Sequence, residues 1–478
     1  MFSLVKTGRP ATIARTLARM VTARMGAARM VAARMGAAGM LTAGLAIGLL
    51  FFAGMPASAG MIRDTEIEAG LADLLGPLET AAGYAPGSVG TRVILDPSYN
   101  AFVAARRMIY MHSGLLVEAH SSLEVIGVLA HELGHIKEGH VQRIDDDLQQ
   151  ASGAAALATV AAIAVAAGGG GDAAAGVLIG GNDQAARGFL ASRRRAEAIA
   201  DEISLRLLEK NGLSAVGLRD LMQRMKRQRS LPESRQSPYY ATHPGAADRL
   251  QAFQDHMNGS AHSDKPAPLA FEALFARIRA KMIAWTETPQ RVKSMAAKTA
   301  PNAMLADYML AIADYRRGDL RAALARMDAL SSDHPRDPYF HEFRGDILFA
   351  LARPGDAAAA YERALERRPG SGLIQINLGR ALIAKGGPTN LERAIIAFEA
   401  AHDREAKWAF LHRQYGIALG KSGRIAEADL ALANEAILLG DGARAAQLAR
   451  RVMAVEGLDP VLHRRASDIV FRYSKDQQ

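Results

Sequence analysis

The chain has 478 residues and no cysteine. This excludes disulfides, thiolate nucleophiles, Cys-ligated zinc and anchoring through a lipidated N-terminal cysteine. Aromatic residues are scarce, at 6%. After residue 59 there is no apolar run of the roughly 18 residues that a membrane span needs, which excludes an integral membrane bundle. Acidic residues are missing from residues 1–59, which carry Lys6, Arg9, Arg15, Arg19, Arg24, Arg29 and Arg34. The formal net charge is +9, so without these seven cations the rest of the chain stands at only +2. A nearly neutral remainder gives no electrostatic footprint for nucleic acid.

What is present is Ala-rich. Ala loses no side-chain entropy in a helix, so a mainly α chain is expected. Residues 1–59 read as an export signal: a basic stretch, the apolar run LTAGLAIGLLFFAG (41–54), and PASA ending in Ala57-x-Ala59, with cleavage after Ala59. An uncleaved signal anchor is the alternative, and translation from Met30 or Met35 stays open. Short apolar runs in residues 91–116, bounded by Asp-Pro and Ser-Gly turn signals, read as strands of a small sheet. A helix is expected from about Ser122 to about Gln150, capped by Ser121 or Ser122. An Ala/Gly tract follows at 151–181, read as a buried helix plus a mobile loop; a lid, or a peripheral contact with a membrane surface, is the rival reading. Further helices are expected over 184–210 and 214–228, then a Pro-containing loop and a polar linker at 258–268.

From residue 269 the sequence repeats. Pro335 and Pro369 stand 34 residues apart, Ala323 matches Ala357, Leu330 matches Ala364, and Gly345, Gly379 and Gly416 recur at equivalent places. A 34-residue helix–turn–helix period with small residues at the crossings is the tetratricopeptide signature, an α-solenoid with a concave face. A generic helical bundle is the bland alternative.

The chemistry sits in AHELGHIKEGH, residues 130–140. Residues four apart share a helix face, so His131 and His135 can hold one metal ion while Glu132 reaches a water beside it. Zinc suits such a pair. On a continuing helix His140 falls on the opposite face from His131, so the third ligand must come from elsewhere. The best source is RRRAEAIADEISLRLL (193–208), with Glu197 and, one turn on, Asp201 on the same face. A carboxylate completes a His₂Glu set, and an Asp one turn away can hold the other nitrogen of a ligating histidine.

HELGH, EAIAD at 197–201, RDTEIE at 63–68 and THP at 242–244 with Arg249 together resemble the zinc metallopeptidase family of HtpX and the CAAX prenyl protease. The export signal and repeats are similar to its periplasmic BepA-like branch. The resemblance implies an α+β gluzincin domain at 60–257 and a repeat domain at 269–478. It also implies one zinc ion per chain held by His131, His135 and Glu197, with Glu132 as general base and Asp201 as a second catalytic carboxylate sometimes assigned as proton donor. The orienting role fits Asp201 better, because Glu132 can shuttle the proton. His243 is implied as a regulatory fourth ligand that inhibits or assists; a loop histidine without metal contact is the alternative. The implied function is endoproteolysis of misfolded or stalled envelope proteins in the periplasm. Its partners would be protein substrates and an outer-membrane protein or assembly machine docked by the repeats. A periplasmic chaperone acting by binding alone is the rival.

Overall fold

The computed structural model describes residues 3–4, 60–104, 107–140, 171–228, 237, 239, 242, 243 and 245–473. The export signal, apart from the backbone of two residues, lies outside the described residues, as does the Ala/Gly tract up to residue 170.

A small sheet carries the strands β1 (Ser3–Leu4), β2 (Met61–Arg63), β3 (Gly90–Ile94), β4 (Ala101–Val103) and β5 (Met108–His112). Its order is β1-β2-β3-β5-β4, with β3 and β5 parallel and the other pairs antiparallel, so β4 forms an edge. Val93, Ile109 and Met111 point from it into the core. Two helices, α1 (Thr65–Ala82) and α2 (Ser113–Glu118), flank it, and α3 (Ser122–Glu138) runs behind. Leu123, Val125, Ile126, Val128, Leu129 and Leu133 are all buried, so α3 is apolar nearly all round and is the central helix of this unit. Each such side chain contributes about 1.5–3 kcal/mol of burial. Around it lie α4 (Gly171–Lys210), α5 (Val216–Gln228) and α6 (Ala246–Gly259).

The expected helix to Gln150 is corrected here: α3 stops at Glu138. Gly139 takes the left-handed conformation at φ 67°, and its N–H caps the carbonyls of His135 and Ile136. Residues 141–150 lie outside the described residues.

The second unit is a run of paired helices: α7 (Leu269–Thr286), α8 (Pro289–Thr299), α9 (Ala303–Arg316), α10 (Leu320–Asp333), α11 (Pro338–Ala350), α12 (Pro354–Arg367), α13 (Gly372–Lys385), α14 (Pro388–Glu405), α15 (Ala409–Lys421), α16 (Ile425–Leu438), α17 (Gly442–Met453) and α18 (Pro460–Tyr473). The recurring glycines sit where partner helices cross. A β-carbon on Gly345 would meet the Tyr361 ring at 2.7 Å, one on Gly379 the Phe398 ring at 2.5 Å, and one on Gly416 Leu432 at 3.0 Å. The pattern read as tetratricopeptide repeats is therefore a packing pattern. Among the described residues no helix is long and apolar enough to cross a membrane.

Residues 63–68 bind the two units together. Lys281 of α7 is 2.8 Å from Asp64 and 2.9 Å from Glu66, Tyr308 of α9 donates to Glu66 at 2.8 Å, and Arg277 pairs with Glu66 and with Asp337. Thr65 donates to Glu342 at 2.7 Å, and Arg63 meets Glu405 at 2.6 Å. Burial would raise the Glu66 carboxyl, yet Arg277 and Lys281 hold it down at about 2. RDTEIE is thus an ionic clasp between the first unit and the helical repeats. Helix α7 also shares both cores, with Ile278 and Met282 packed toward the first and Ile283 and Ala284 toward the second.

Candidate metal centre

Two helices build the centre, and their separation is set by one residue. Gly134, inside HELGH, lies against the α4 backbone, where an added β-carbon would fall 2.8 Å from the Ala200 carbonyl oxygen and 3.0 Å from its Cα. That close approach brings His131 and His135 on α3 against Glu197 and Asp201 on α4.

Four side chains converge: His131, His135, Glu197 and His243 each offer a ligand atom, all within 4.8 Å of one another, and all are buried or nearly so. His131 Nε2 lies 3.1 Å from His135 Nε2 and 3.3 Å from Glu197 Oε2, and His135 Nε2 lies 3.5 Å from Glu197 Oε1. His243 Nδ1 is 3.2 Å from His131 Nε2 and 3.0 Å from Glu197 Oε2. With metal–ligand bonds of about 2.0–2.1 Å, neighbouring donors in a tetrahedron stand about 3.4 Å apart. The residues present therefore fit a single tetrahedral ion in both chemistry and spacing.

The surroundings fix these side chains. Asp201 Oδ1 lies 2.8 Å from His131 Nδ1, which turns Nε2 toward the cluster. Asp201 is itself clamped by Arg249, whose Nε and Nη2 donate to its two oxygens at 2.7 and 2.8 Å, while Arg249 Nη1 lies 3.0 Å from Glu197. Asp201 thus stands behind His131, away from the converging ligand atoms. His140, set aside on the assumption of a continuous helix, comes to His135 after all: the break at Gly139 lets its Nδ1 approach His135 Nδ1 to 2.9 Å. It touches the back of the imidazole, not the cluster.

Electrostatics follow the packing. Burial and Arg249 push His131 down, but its bonds to Asp201 and Glu197 outweigh them and hold it at about 9. Burial and the charge on His131 push His135 well below its ordinary value. Burial would raise Glu197 and Asp201, yet His243 and His131 lower the first and Arg249 the second. A metal ligand must be deprotonated, so metal uptake displaces the His131 proton. Burial raises Glu132. Neither of its oxygens has a hydrogen-bond partner among the described residues; His243 Nε2 lies 3.5 Å from Oε1. It is a buried carboxylate beside the cluster.

Sequence reasoning left Gly134 and the Arg249 clamp without a structural role. Gly134 had a signal, a small residue between the two histidines on a helix that must meet another. Arg249 had none beyond its place in the resemblance.

The model of peptidase family M48 matches residues 62–257, and a tetratricopeptide repeat model matches 308–372 and 345–407. The chain is 22% identical to the beta-barrel assembly-enhancing protease of Yersinia pestis over 344 residues, covering 71% of this chain and 70% of that one. It is 32% identical to the metalloprotease LoiP of Escherichia coli (strain K12) over 170 residues, covering 36% of this chain and 63% of that one. Among solved structures, MamA from Desulfovibrio magneticus RS-1 is 18% identical with a TM-score of 0.31, covering 35% of this chain and 95% of that chain. The chain carries a peptidase family M48 domain, a metalloprotease domain, over residues 62–257, and C-terminal tetratricopeptide repeats follow it.

Proposed function

We propose that this protein is a zinc-dependent endopeptidase of the periplasm that hydrolyses misfolded or stalled envelope proteins, with its repeats docking a protein partner at the outer membrane. The observation that carries the reading is the convergence of His131, His135 and Glu197 on one point, with the Glu132 carboxylate, which has no hydrogen-bond partner among the described residues, beside it. Zinc, when bound, supplies Lewis acidity toward the scissile carbonyl and toward water. His131, His135 and Glu197 would hold it. Glu132 takes a proton from the attacking water and delivers it to the leaving nitrogen. Asp201, held by Arg249, positions His131 and takes no part in proton transfer. His243, whose Nδ1 stands among the ligand atoms, keeps the resting site closed by filling the fourth position. Its ring also lies 3.3 Å, through Nε2, from the carbonyl of Ala101 on the edge strand β4. An extended substrate would add to that edge, where main-chain pairing makes backbone shape matter more than side-chain identity.

The domain limits proposed are a signal at 1–59, the catalytic domain at 60–257, a linker at 258–268 and the repeats at 269–478. The test is caseinolysis by the purified full chain against Glu132→Gln, with metal content measured on both. Loss of hydrolysis with metal retained supports the reading. Equal hydrolysis by both would sink it. Activity in cells that survives Glu132→Gln would favour the chaperone reading instead.

A further inference from the structure

Tyr239 is wholly buried, and its hydroxyl has no hydrogen-bond partner among the described residues. An orphaned buried hydroxyl is destabilising, so such a group needs a reason to persist. Its place supplies one. The His243 N–H donates to the Tyr239 carbonyl at 2.9 Å, so the two residues close one helical turn and point the same way, four residues apart. Their rings pack against each other with centroids 4.3 Å apart and planes tilted by 32°. The backbone under them is tied to the sheet beside β4: Tyr239 N–H and Ser237 Oγ both donate to the Tyr99 carbonyl, at 3.3 and 2.7 Å. The Tyr99 ring meets the Tyr239 ring edge-on at 5.8 Å. The Tyr239 ring thus packs against His243, whose Nδ1 stands 3.2 Å from His131 Nε2 and 3.0 Å from Glu197 Oε2.

Among the described residues, both oxygens of Glu132 and the oxygen of Tyr239 are buried near the centre without a hydrogen-bond partner. Glu132 is explained by its part in hydrolysis. We propose that Tyr239 is the second catalytic group of this site, donating its hydroxyl hydrogen bond to the scissile carbonyl oxygen as that oxygen gains negative charge. The assignment rests on the peptidase reading above. In the step, the water oxygen bonds to the carbonyl carbon and Glu132 takes the water proton. The carbonyl π electrons move to the oxygen, which accepts the hydrogen bond from Tyr239. Collapse then breaks the C–N bond, and the Glu132 proton goes to the nitrogen. Tyr239 keeps its own proton throughout.

The test is Tyr239→Phe in the full, metal-loaded chain, which keeps the ring packing and removes only the hydroxyl. Removing one donor to a developing oxyanion lowers kcat by on the order of 10²-fold. That loss is expected with KM and metal content unchanged. A peptide phosphonate, which carries the charged tetrahedral group, is expected to bind more weakly in calorimetry by the same factor as kcat/KM. A parent peptide amide is expected to bind equally to both proteins. Tyr239→Phe with wild-type kcat and wild-type phosphonate affinity overturns the assignment, as does a loss of activity that follows loss of metal. A wild-type chain that holds metal and hydrolyses nothing overturns the peptidase reading, and this role with it.

Discussion

Gly134→Ala is a one-methyl change with a calculable consequence. The new carbon would stand 2.8 Å from the Ala200 carbonyl oxygen, where ordinary contact begins at 3.4 Å, and the obstacle is backbone that cannot rotate away. Helices α3 and α4 must part locally by about 0.6 Å, at a packing cost of about 1–3 kcal/mol. Ala200 lies one turn after Glu197 and next to Asp201, so Glu197 and the carboxylate held against His131 move together. Metal sites tolerate displacements of only about 0.2 Å, so a shift three times larger is expected to weaken metal binding by on the order of 10- to 100-fold. The assay is competition for zinc against a chelator of known affinity, alongside thermal unfolding of the metal-free chain. A Gly134→Ala protein that binds zinc as tightly as wild type and unfolds at the same temperature would refute the claim that this contact sets the site.

Two other perturbations separate the forces at work. Replacing Arg249 by Met leaves Glu197 and Asp201 buried without their cation, a loss of about 3–5 kcal/mol in the metal-free protein. Metal restores part of the missing charge, so the difference in Tm between metal-loaded and metal-free protein is expected to widen; an unchanged difference would count against the clamp. At the interface, burial pushes Glu342 up to about 7 from an ordinary 4.5. A raised carboxyl contributes stability that is complete below pH 4.5 and lost as pH rises through about 7, at most about 3 kcal/mol. Glu342→Gln keeps an acceptor for Thr65 and is expected to flatten Tm between pH 5 and 8, raising it at the upper end. Parallel pH profiles for both proteins would rule this out.

Much of this architecture is legible in the residues because its causes are local or periodic. The spacing of His131 and His135 fixes a shared helix face, and the 34-residue recurrence of Gly345 and Gly379 marks where helices cross. What is not legible is long range. Helical geometry alone sends His140 away from His135, and only the left-handed turn at Gly139 returns it. RDTEIE reads in the sequence as part of a family pattern, whereas its partners Lys281, Arg277, Glu342 and Glu405 lie more than 200 residues on and carry no marker. Tyr239 is hidden for a similar reason. Its four-residue spacing to His243 signals nothing in a stretch that reads as loop, until one helical turn forms there.

The central claim is that His131, His135 and Glu197 form one metal-binding point and that Glu132 stands beside it without binding. Metal content of the purified full chain tests this most directly, by elemental analysis of wild type, Glu132→Gln, His131→Ala and Glu197→Gln after equal exposure to zinc. The account expects about one zinc per chain in wild type and in Glu132→Gln, and loss of that zinc in the other two. Zinc retained equally by His131→Ala, or lost from Glu132→Gln, would contradict it.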